Sequence, residues 1–264
     1  MLKELKFAFY AIKKNFQNGL ELRTSFFTNV FGMAINNTAF IIIWVSFTKS
    51  IGILNGWTAI DIIGLIGFSS LTFGLTFSFA SGFRKLSEYV TMGSFDRYIL
   101  SPKNLILRIA TSWFSPSGIG DIVFGIITLI IYGILISATA FQIFLIFILS
   151  ITATICMIAI SITIFSASFL FADSRAITDG LLHFFLSPSL FHGGAFQGGI
   201  RFVFTFLVPS LVVGALPVEA LKDIDILKVL LILFISVIWF YISVKIFYKG
   251  VEKYESTNFM TFGN

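Results

Sequence analysis

The feature that most limits the fold of this chain is a run of 51 residues, Ile122 to Ala172, without a charged side chain. A helix needs about 20 residues to cross a hydrocarbon core of about 30 Å, so the run is too long for one membrane span. It fits two antiparallel spans joined by a tight turn near residues 137–142. Charged residues make up 12% of the chain, against about 25% in soluble domains. The sequence therefore predicts an all-α, polytopic membrane protein.

Six transmembrane helices are predicted from the apolar runs. Their predicted bounds are residues 25–48, 62–83, 118–137, 143–171, 178–196 and 229–244. The region before the last span is irregular, because it contains Pro188, Pro209 and two glycine pairs. One span cannot contain this region, and two would leave the termini on opposite sides of the membrane. We therefore predict a fifth span followed by an outer re-entrant helical hairpin at residues 200–222.

The distribution of basic residues predicts that both termini are cytoplasmic. On the six-span arrangement, 14 of the 18 lysines and arginines lie on one side of the membrane. The other side holds Lys49, Arg201, Lys222 and Lys228. The more basic side is cytoplasmic by the positive-inside rule. This rule and anionic lipids explain the net charge of +5, so membrane lipids are predicted partners and nucleic acid is not.

Residues 1–18 are predicted to form an amphipathic helix on the inner membrane surface. Apolar residues from Leu2 to Phe16 recur at alternating spacings of three and four, which places them on one helical face. The alternative is a soluble helix packed on another part of the same protein. Lysines spread along this segment argue against a secretory signal peptide. We treat residues 1–264 as a single transmembrane domain.

A short charged segment, Gly93 to Pro102, interrupts the apolar chain within the cytoplasmic interval 84–116. Ser94 is a good N-cap for a helix over residues 95–100, and Pro102 disfavours helical dihedrals at Ser101. The sequence predicts a helix of fewer than two turns, placed between spans two and three. Such an element is a candidate docking element for a partner.

Small and polar residues recur inside spans one and two. In span two they recur at every fourth position and predict close helix packing, with a subunit interface as the alternative: Ser70, Gly74, Ser78 and Gly82. In span one, three consecutive polar residues are candidates for lining a translocation path: Asn36, Asn37 and Thr38. Interhelical hydrogen bonding is the open alternative for these three residues.

The sequence lacks the motifs of an enzyme. It has no phosphate-binding loop, no nucleophile elbow and no zinc-binding H-E-x-x-H, so we assign no catalytic residue and no metal site. Cys156 is the single cysteine and lies in an apolar run. We expect no carboxylate in the interiors of spans one to four and six, which argues against ion-coupled transport. A pump of this kind would need a partner to supply its energy.

Two motifs resemble those of a known family. The first consists of Gly93, Phe95, Asp96, Arg97 and Pro102, and the second of Arg201, Thr205, Phe206, Pro209, Pro217 and Ala220. In order, spacing and span number, the chain resembles the six-span permease subunit of type-2 ABC exporters, of the branch called ABC-2 family transporter protein. Two features differ from the family pattern. Ser101 stands where the family often has arginine, and Gly193–Gly199 replaces a run richer in proline and tryptophan.

The resemblance implies a permease dimer, formed by two identical or two different chains, in a bacterial inner membrane. Two ABC ATPase subunits would bind ATP and Mg²⁺ on the cytoplasmic side, and this chain would bind no cofactor. Residues 84–116 would be the coupling loop, with Phe95 in the ATPase groove and polar contacts around it from Ser94, Asp96, Arg97, Tyr98 and Lys103. The substrate path would lie at the dimer interface. The outer gate would include Arg201, Pro209 and Pro217.

Two alternatives stay open at this point. The fold could serve a non-transporting membrane scaffold or immunity protein instead of an exporter. Asp96 and Arg97 could contribute helix-end electrostatics instead of docking. The 34 phenylalanines favour a lipophilic or peptide-like substrate over a sugar polymer, although the substrate itself does not follow from the sequence.

Overall fold

The computed structural model describes residues 2–52, 55–171 and 174–254. The regular elements in these ranges are all helical. The α-helices are α1 (Leu2–Glu21), α2 (Arg23–Ile51), α3 (Ala59–Phe79), α4 (Leu86–Thr91), α5 (Asp96–Ile99), α6 (Leu105–Ala110), α7 (Ser117–Leu135), α8 (Ala140–Phe165), α9 (Arg175–Ser189), α10 (Gly198–Phe202), α11 (Ala215–Lys222) and α12 (Ile226–Glu252). The predicted single domain 1–264 includes residues 1 and 255–264, which lie outside the described residues. The side chains of Leu2 and Leu5, which belong to the predicted amphipathic face, lie outside them as well.

Five of the described helices are long and apolar enough to cross a membrane: α2, α3, α7, α8 and α12. This confirms the prediction of an all-α, multi-pass membrane protein. Several helices extend beyond their predicted bounds because polar residues cap them. Thr58 and Asp61 form a reciprocal capping box at the start of α3, and Thr139 and Gln142 form another at the start of α8. Asp61 and Gln142, which the sequence placed just outside spans two and four, therefore lie within the first turns of α3 and α8.

Antiparallel packing of these helices defines two ends of the molecule. At the Phe95 end, the Phe95 ring packs on Phe169 and Tyr254, which follow α8 and α12. At the Trp57 end lie the loop before α3 and the start of α12. Helix α3 is the centre of the bundle. In its most apolar stretch 72% of the residues are buried, against 6% in that of α2. Helix α2 therefore presents most of its surface to the outside of the chain.

The predicted fifth span, 178–196, corresponds to the shorter helix α9 and the loop after it. At 15 residues, α9 is shorter than the roughly 20 residues that a span needs. The segment nevertheless connects the two ends. Next to its first residue, the Ser174 hydroxyl lies 2.8 Å from that of Ser87 at the Phe95 end. At the other end, the Asn55 amide donates to the carbonyl of Gly194 at 2.9 Å.

Residues 198–222 form two short arms that an ion pair connects. The first arm is α10, which continues as a π-helix over Val203–Leu207, and the second is α11. Arg201 in the first arm pairs with Glu219 in the second at 2.5 Å. Lys222 pairs with Asp61 of α3 at 2.7 Å, and so ties the second arm to the Trp57 end. The indole of Trp239, midway along α12, donates to the carbonyl of Phe206, so the bend between the arms lies deep along the bundle.

Helix α1 extends three residues past its predicted end and packs partly on its own chain. The Asn15 amide donates to the carbonyl of Thr111, and the Phe16 ring packs edge-on against Phe26 and Phe114. Phe9 is 72% exposed, so one apolar residue of the helix stays uncovered. Both the interfacial and the packed interpretation of this helix therefore have support in the contacts.

Candidate coupling surface

The segment between α4 and α6 forms a compact turn at the Phe95 end. Gly93 has a φ of +65°, in the left-handed region that suits glycine, and it turns the chain after α4. The backbone N–H of Phe95 then donates to the carbonyl of Tyr89 at 3.0 Å. Helix α5 follows and has only four residues. The sequence therefore located this short element correctly, although it is shorter than predicted.

Ser94 does not cap the helix as the sequence predicted. The residue that precedes α5 is Phe95, and no side chain caps its first turn. The Ser94 hydroxyl is instead directed at the carbonyl of Tyr89, at 3.4 Å. The turn at Gly93 brings that carbonyl, left without a helical partner at the end of α4, close to Ser94. Ser94 thus stabilises the turn before α5 and not α5 itself.

Phe95 is the internal anchor of the segment. Its ring is fully buried in this chain, with ring centroids 5.0 Å from Phe169 and 4.9 Å from Tyr254. Both contacts are edge-on, the geometry that aromatic pairs favour. This corrects the prediction that the ring itself fills a groove on a partner, because the ends of α8 and α12 already enclose it. Phe95 connects the segment to these two long helices.

Most of the exposed large side chains of the segment are apolar. Leu100 is 83% exposed, Met92 is 70% exposed and Ile99 is 43% exposed. We call these three residues the Leu100 patch. Arg97 is exposed beside them. Sequence reasoning missed the patch because Met92 and Leu100 look like ordinary buried residues at the ends of short helices.

Arg108 fixes the C-terminal side of α5. Its guanidinium donates to the carbonyls of Arg97 and Tyr98, at 3.0 and 2.9 Å, and lies over the Tyr98 ring. The Tyr98 ring in turn packs on the ring of Tyr89. Burial raises the pKa of Tyr89 to about 12. The guanidinium of Arg97 lies near both rings. Arg108 was not among the predicted site residues, because its partners are backbone carbonyls that no sequence motif marks.

Lys103, predicted to contact the ATPase, instead contacts helix α1. Its ammonium lies 3.8 Å from a carboxylate oxygen of Glu4, and the other oxygen of Glu4 accepts from the backbone N–H of Asn104. Asp96 is half-buried at the start of α5, where a carboxylate is favoured by the helix dipole. Of the predicted coupling residues, Arg97 is exposed and the others are buried or half-buried.

The predicted gate residues lie in the two arms of residues 198–222. Arg201 donates to the carbonyl of Gly193 as well as pairing with Glu219. Pro209 is buried at the bend between the arms, and Pro217 is buried in the first turns of α11. The Trp57 ring lies 6.0 Å from that of His192.

The three polar residues of α2 point in different directions, because consecutive helical residues are about 100° apart. Asn36 is exposed, and Thr38 donates back to the carbonyl of Ala34. Asn37 is buried and donates to a carboxylate oxygen of Asp121 in α7, at 2.6 Å. For Asn37 the structure therefore supports the interhelical alternative.

Asp121 corrects the expectation that the spans lack interior carboxylates. It is the fifth residue of α7 and is 2% exposed. The expectation was inconsistent with the predicted third span, 118–137, because that span contains Asp121 and the charge-free run begins only at residue 122. The neutral side-chain amide of Asn37 donates a hydrogen bond to this carboxylate. The argument against ion coupling therefore no longer follows from composition.

Part of the small-residue stripe of α3 faces α7. A methyl group added at Gly74 would lie 2.5 Å from the backbone nitrogen of Ile122, so α3 and α7 approach closely there. The Ser78 hydroxyl lies against Gly118 of α7, and Gly82, just beyond α3, contacts the Ile109 carbonyl of α6. Ser70 is buried as well.

Comparison with known proteins returned one match. The sequence model of the family described as ABC-2 family transporter protein matches residues 34–258, well over half of the chain. No curated protein and no solved structure gave a significant match.

Proposed function

The chain belongs to the ABC-2 transporter family, and we propose that it is the permease subunit of an ATP-driven exporter. Family membership and five span-length helices make it a transport component of the membrane. Energy would come from separate ABC ATPase subunits, which bind ATP and Mg²⁺, because the chain has no phosphate-binding loop. The chain itself would then carry out no catalysis.

Six membrane crossings, with both termini in the cytoplasm, belong to this proposal. The segment from Ser174 to Gly194 would be the fifth crossing, since its contacts reach both ends of the bundle. The arms of residues 198–222 would re-enter from the Trp57 end. Four basic residues lie at or near that end, against 14 at the Phe95 end and in the terminal segments. This distribution supports a cytoplasmic Phe95 end by the positive-inside rule.

The observation that carries the proposal is the Leu100 patch held on the Phe95 anchor. Exposed apolar side chains beside Arg97 give a typical protein-binding surface. We propose that an ATPase subunit covers this patch. Phe95 would then pass movement of α5 to the ends of α8 and α12, because its ring packs on Phe169 and Tyr254.

A second permease chain is proposed at the uncovered face of α2. Eight exposed residues, none of them charged, recur along it at alternating spacings of four and three: Ser25, Asn29, Gly32, Asn36, Ala39, Ile43, Ser46 and Ser50. Amide side chains such as Asn36 are unfavourable against lipid, whereas across a helix pair they both donate and accept. The face therefore suits another helix, and Asn36 would lie at a dimer interface beside the substrate path.

The alternative is a non-transporting scaffold or immunity protein of the same family fold. Co-expression with an ABC ATPase from a neighbouring gene separates the two. A permease should co-purify with the ATPase and change its rate of ATP hydrolysis after reconstitution in vesicles. An ATPase carrying a substitution of its phosphate-loop lysine is the control, and it should bind the permease without hydrolysis. Failure of every neighbouring ATPase to bind would favour the scaffold.

We propose a lipophilic or peptide-like substrate. An abundance of phenylalanine supports a lipophilic or peptide-like substrate. Vesicles that contain the assembled complex can be screened for ATP-dependent accumulation of fluorescent lipids and peptides. Accumulation of a polysaccharide instead would contradict this class.

A further inference from the structure

A polar cavity of about 140 Å³ lies at the Phe95 end. Three separate parts of the chain enclose it: the segment after α3 together with the first turn of α4, the residues just before α7, and the start of α9. The cations in its wall are Arg84, Lys85 and Arg175. Two carboxylates, Glu88 and Asp179, and three serines complete the polar lining. Three cations against two carboxylates leave the cavity with one net positive charge.

The two arginines are the cations of this cavity that form no close ion pair with a described carboxylate. Lys85 is neutralised, because its ammonium lies 2.7 Å from a carboxylate oxygen of Glu88. That contact holds the pKa of Glu88 below its ordinary value, with the charge of Arg175 contributing. Within residues 2–52, 55–171 and 174–254, neither Arg84 nor Arg175 has a carboxylate oxygen within 4.0 Å. Both arginines therefore line one small cavity, and the Arg84 guanidinium also lies 5.4 Å from the centroid of the Phe77 ring.

The cavity lies at the depth where membrane-crossing helices end. Helix α3 ends at Phe79 and α7 begins at Ser117, so the wall residues follow or precede long apolar helices directly. Trp113 is 49% exposed, and the Lys85 ammonium lies 4.8 Å from its ring centroid. Tryptophan and basic residues are typical of the membrane–water interface. A ligand of this cavity would therefore sit among lipid headgroups.

Hydrogen bonds hold the walls in place without a ligand. The Ser81 hydroxyl donates to the carbonyl of Trp113 at 2.7 Å, which joins the segment after α3 to the segment before α7. The hydroxyls of Ser87 and Ser174 lie 2.8 Å apart and join the start of α9 to α4. The N-terminus of the 15-residue helix α9 adds a partial positive charge. The cationic wall is thus built from fixed parts of the bundle.

We propose that this cavity binds a phosphate group, as carried by an anionic lipid headgroup. Guanidinium groups bind phosphate oxygens in a bidentate manner, and basic pockets between membrane helices take lipid headgroups by this chemistry. Free inorganic phosphate has the same chemistry and is the other source. The site goes beyond the proposed export function, because it needs neither ATPase nor substrate.

The test compares thermal unfolding of the full chain in lipid nanodiscs. Nanodiscs of phosphatidylcholine alone are compared with nanodiscs that contain increasing phosphatidylglycerol, and separately with added inorganic phosphate. We expect a saturable rise in unfolding temperature with phosphatidylglycerol. The double variant Arg84→Gln/Arg175→Gln should lose most of this rise. Arg23→Gln/Lys249→Gln is the matched control, since it removes two exposed basic residues outside the cavity and should keep the rise.

Each outcome separates the possibilities. A rise with phosphatidylglycerol but not with inorganic phosphate assigns the site to lipid, and a rise with phosphate alone assigns it to the free ion. An equal rise in both double variants overturns the proposal, because general surface charge would then explain it. If the arginine variant fails to fold, Asp179→Asn tests the phosphate site instead, because it removes a negative charge and should strengthen binding. Removal of this carboxylate should lower the half-saturating phosphatidylglycerol content about twofold to fivefold, and no change would contradict the site.

Discussion

The rings of Phe95 and Tyr254 lie 4.9 Å apart, centroid to centroid, and meet at 76°. Phe95 belongs to the short segment after α4, and Tyr254 follows the last long helix of the chain. The contact therefore joins a small surface element to the end of α12, across about 160 residues of sequence. Phe169, which follows α8, completes the same cluster. One aromatic ring thus connects the segment of α5 to the ends of both long helices.

Phe95→Ala should destabilise the chain. Its ring is fully buried, and truncation of a buried phenylalanine costs about 3–5 kcal/mol. We expect a lower unfolding temperature in detergent, together with weaker ATPase stimulation in the reconstituted complex. Phe95→Leu is the control, since it keeps an apolar side chain and should recover most of the stability. Unchanged unfolding of Phe95→Ala would contradict the anchor role.

Leu100→Glu should act on the partner contact and leave the fold intact. Leu100 is 83% exposed, so a charge there costs the free chain little, while it disfavours burial against an ATPase. We expect normal unfolding and at least a tenfold loss of ATPase co-purification, which corresponds to about 1.4 kcal/mol. Leu227→Glu at the Trp57 end, where Leu227 is 79% exposed, is the matched control. Equal loss in both variants would remove the Leu100 patch from the proposal.

The contrast between Phe95 and Leu100 shows how far the sequence can predict this site. Local signals located the segment, because glycine at 93 and proline at 102 act within a few residues. The length of apolar runs likewise predicted the five long helices. The burial of Phe95 depends on Phe169 and Tyr254, which are distant in sequence, so no local pattern contains it. The same holds for Arg108, whose backbone partners become neighbours only through the turn of the chain.

Gly74→Ala should separate α3 from α7. The added methyl group would lie 2.5 Å from the backbone nitrogen of Ile122 and 2.8 Å from the carbonyl of Gly118, and backbone atoms cannot move aside cheaply. Overpacking of this kind costs about 1–3 kcal/mol, which thermal unfolding can measure. Gly32→Ala on α2 is the control, because nothing lies within 4 Å of its added methyl group. Gly32→Ala should be neutral or slightly stabilising, because alanine is the better helix former. An equal change in unfolding temperature at both glycines would contradict close packing at Gly74.

Asn37 and Asp121 should behave as a coupled pair. Asn37→Ala leaves a buried carboxylate without its amide donor, which costs about 1–3 kcal/mol. In the double variant Asn37→Ala/Asp121→Ala the carboxylate is absent, so the loss should be smaller than the sum of the single losses by about 0.5–3 kcal/mol. Unfolding measurements on the four proteins complete the cycle. Additive losses would show that the 2.6 Å contact contributes nothing to stability.

Asn36→Cys should form a disulfide between two permease chains in a Cys156→Ala background. Two chains inserted with the same topology are related by an axis along the membrane normal, so their α2 helices run parallel and residue 36 meets its own copy. The neighbouring residue supplies the control, because Ile35 is 70% exposed but lies about 100° around the helix from Asn36. We expect a dimer on non-reducing gels for Asn36→Cys and none for Ile35→Cys.

If Asn36→Cys yields a disulfide only after co-expression of a second permease carrying a matching cysteine, the complex is a heterodimer. Cross-linking at Ile35 with none at Asn36 would place the contact on a different face of α2 and contradict the proposed interface.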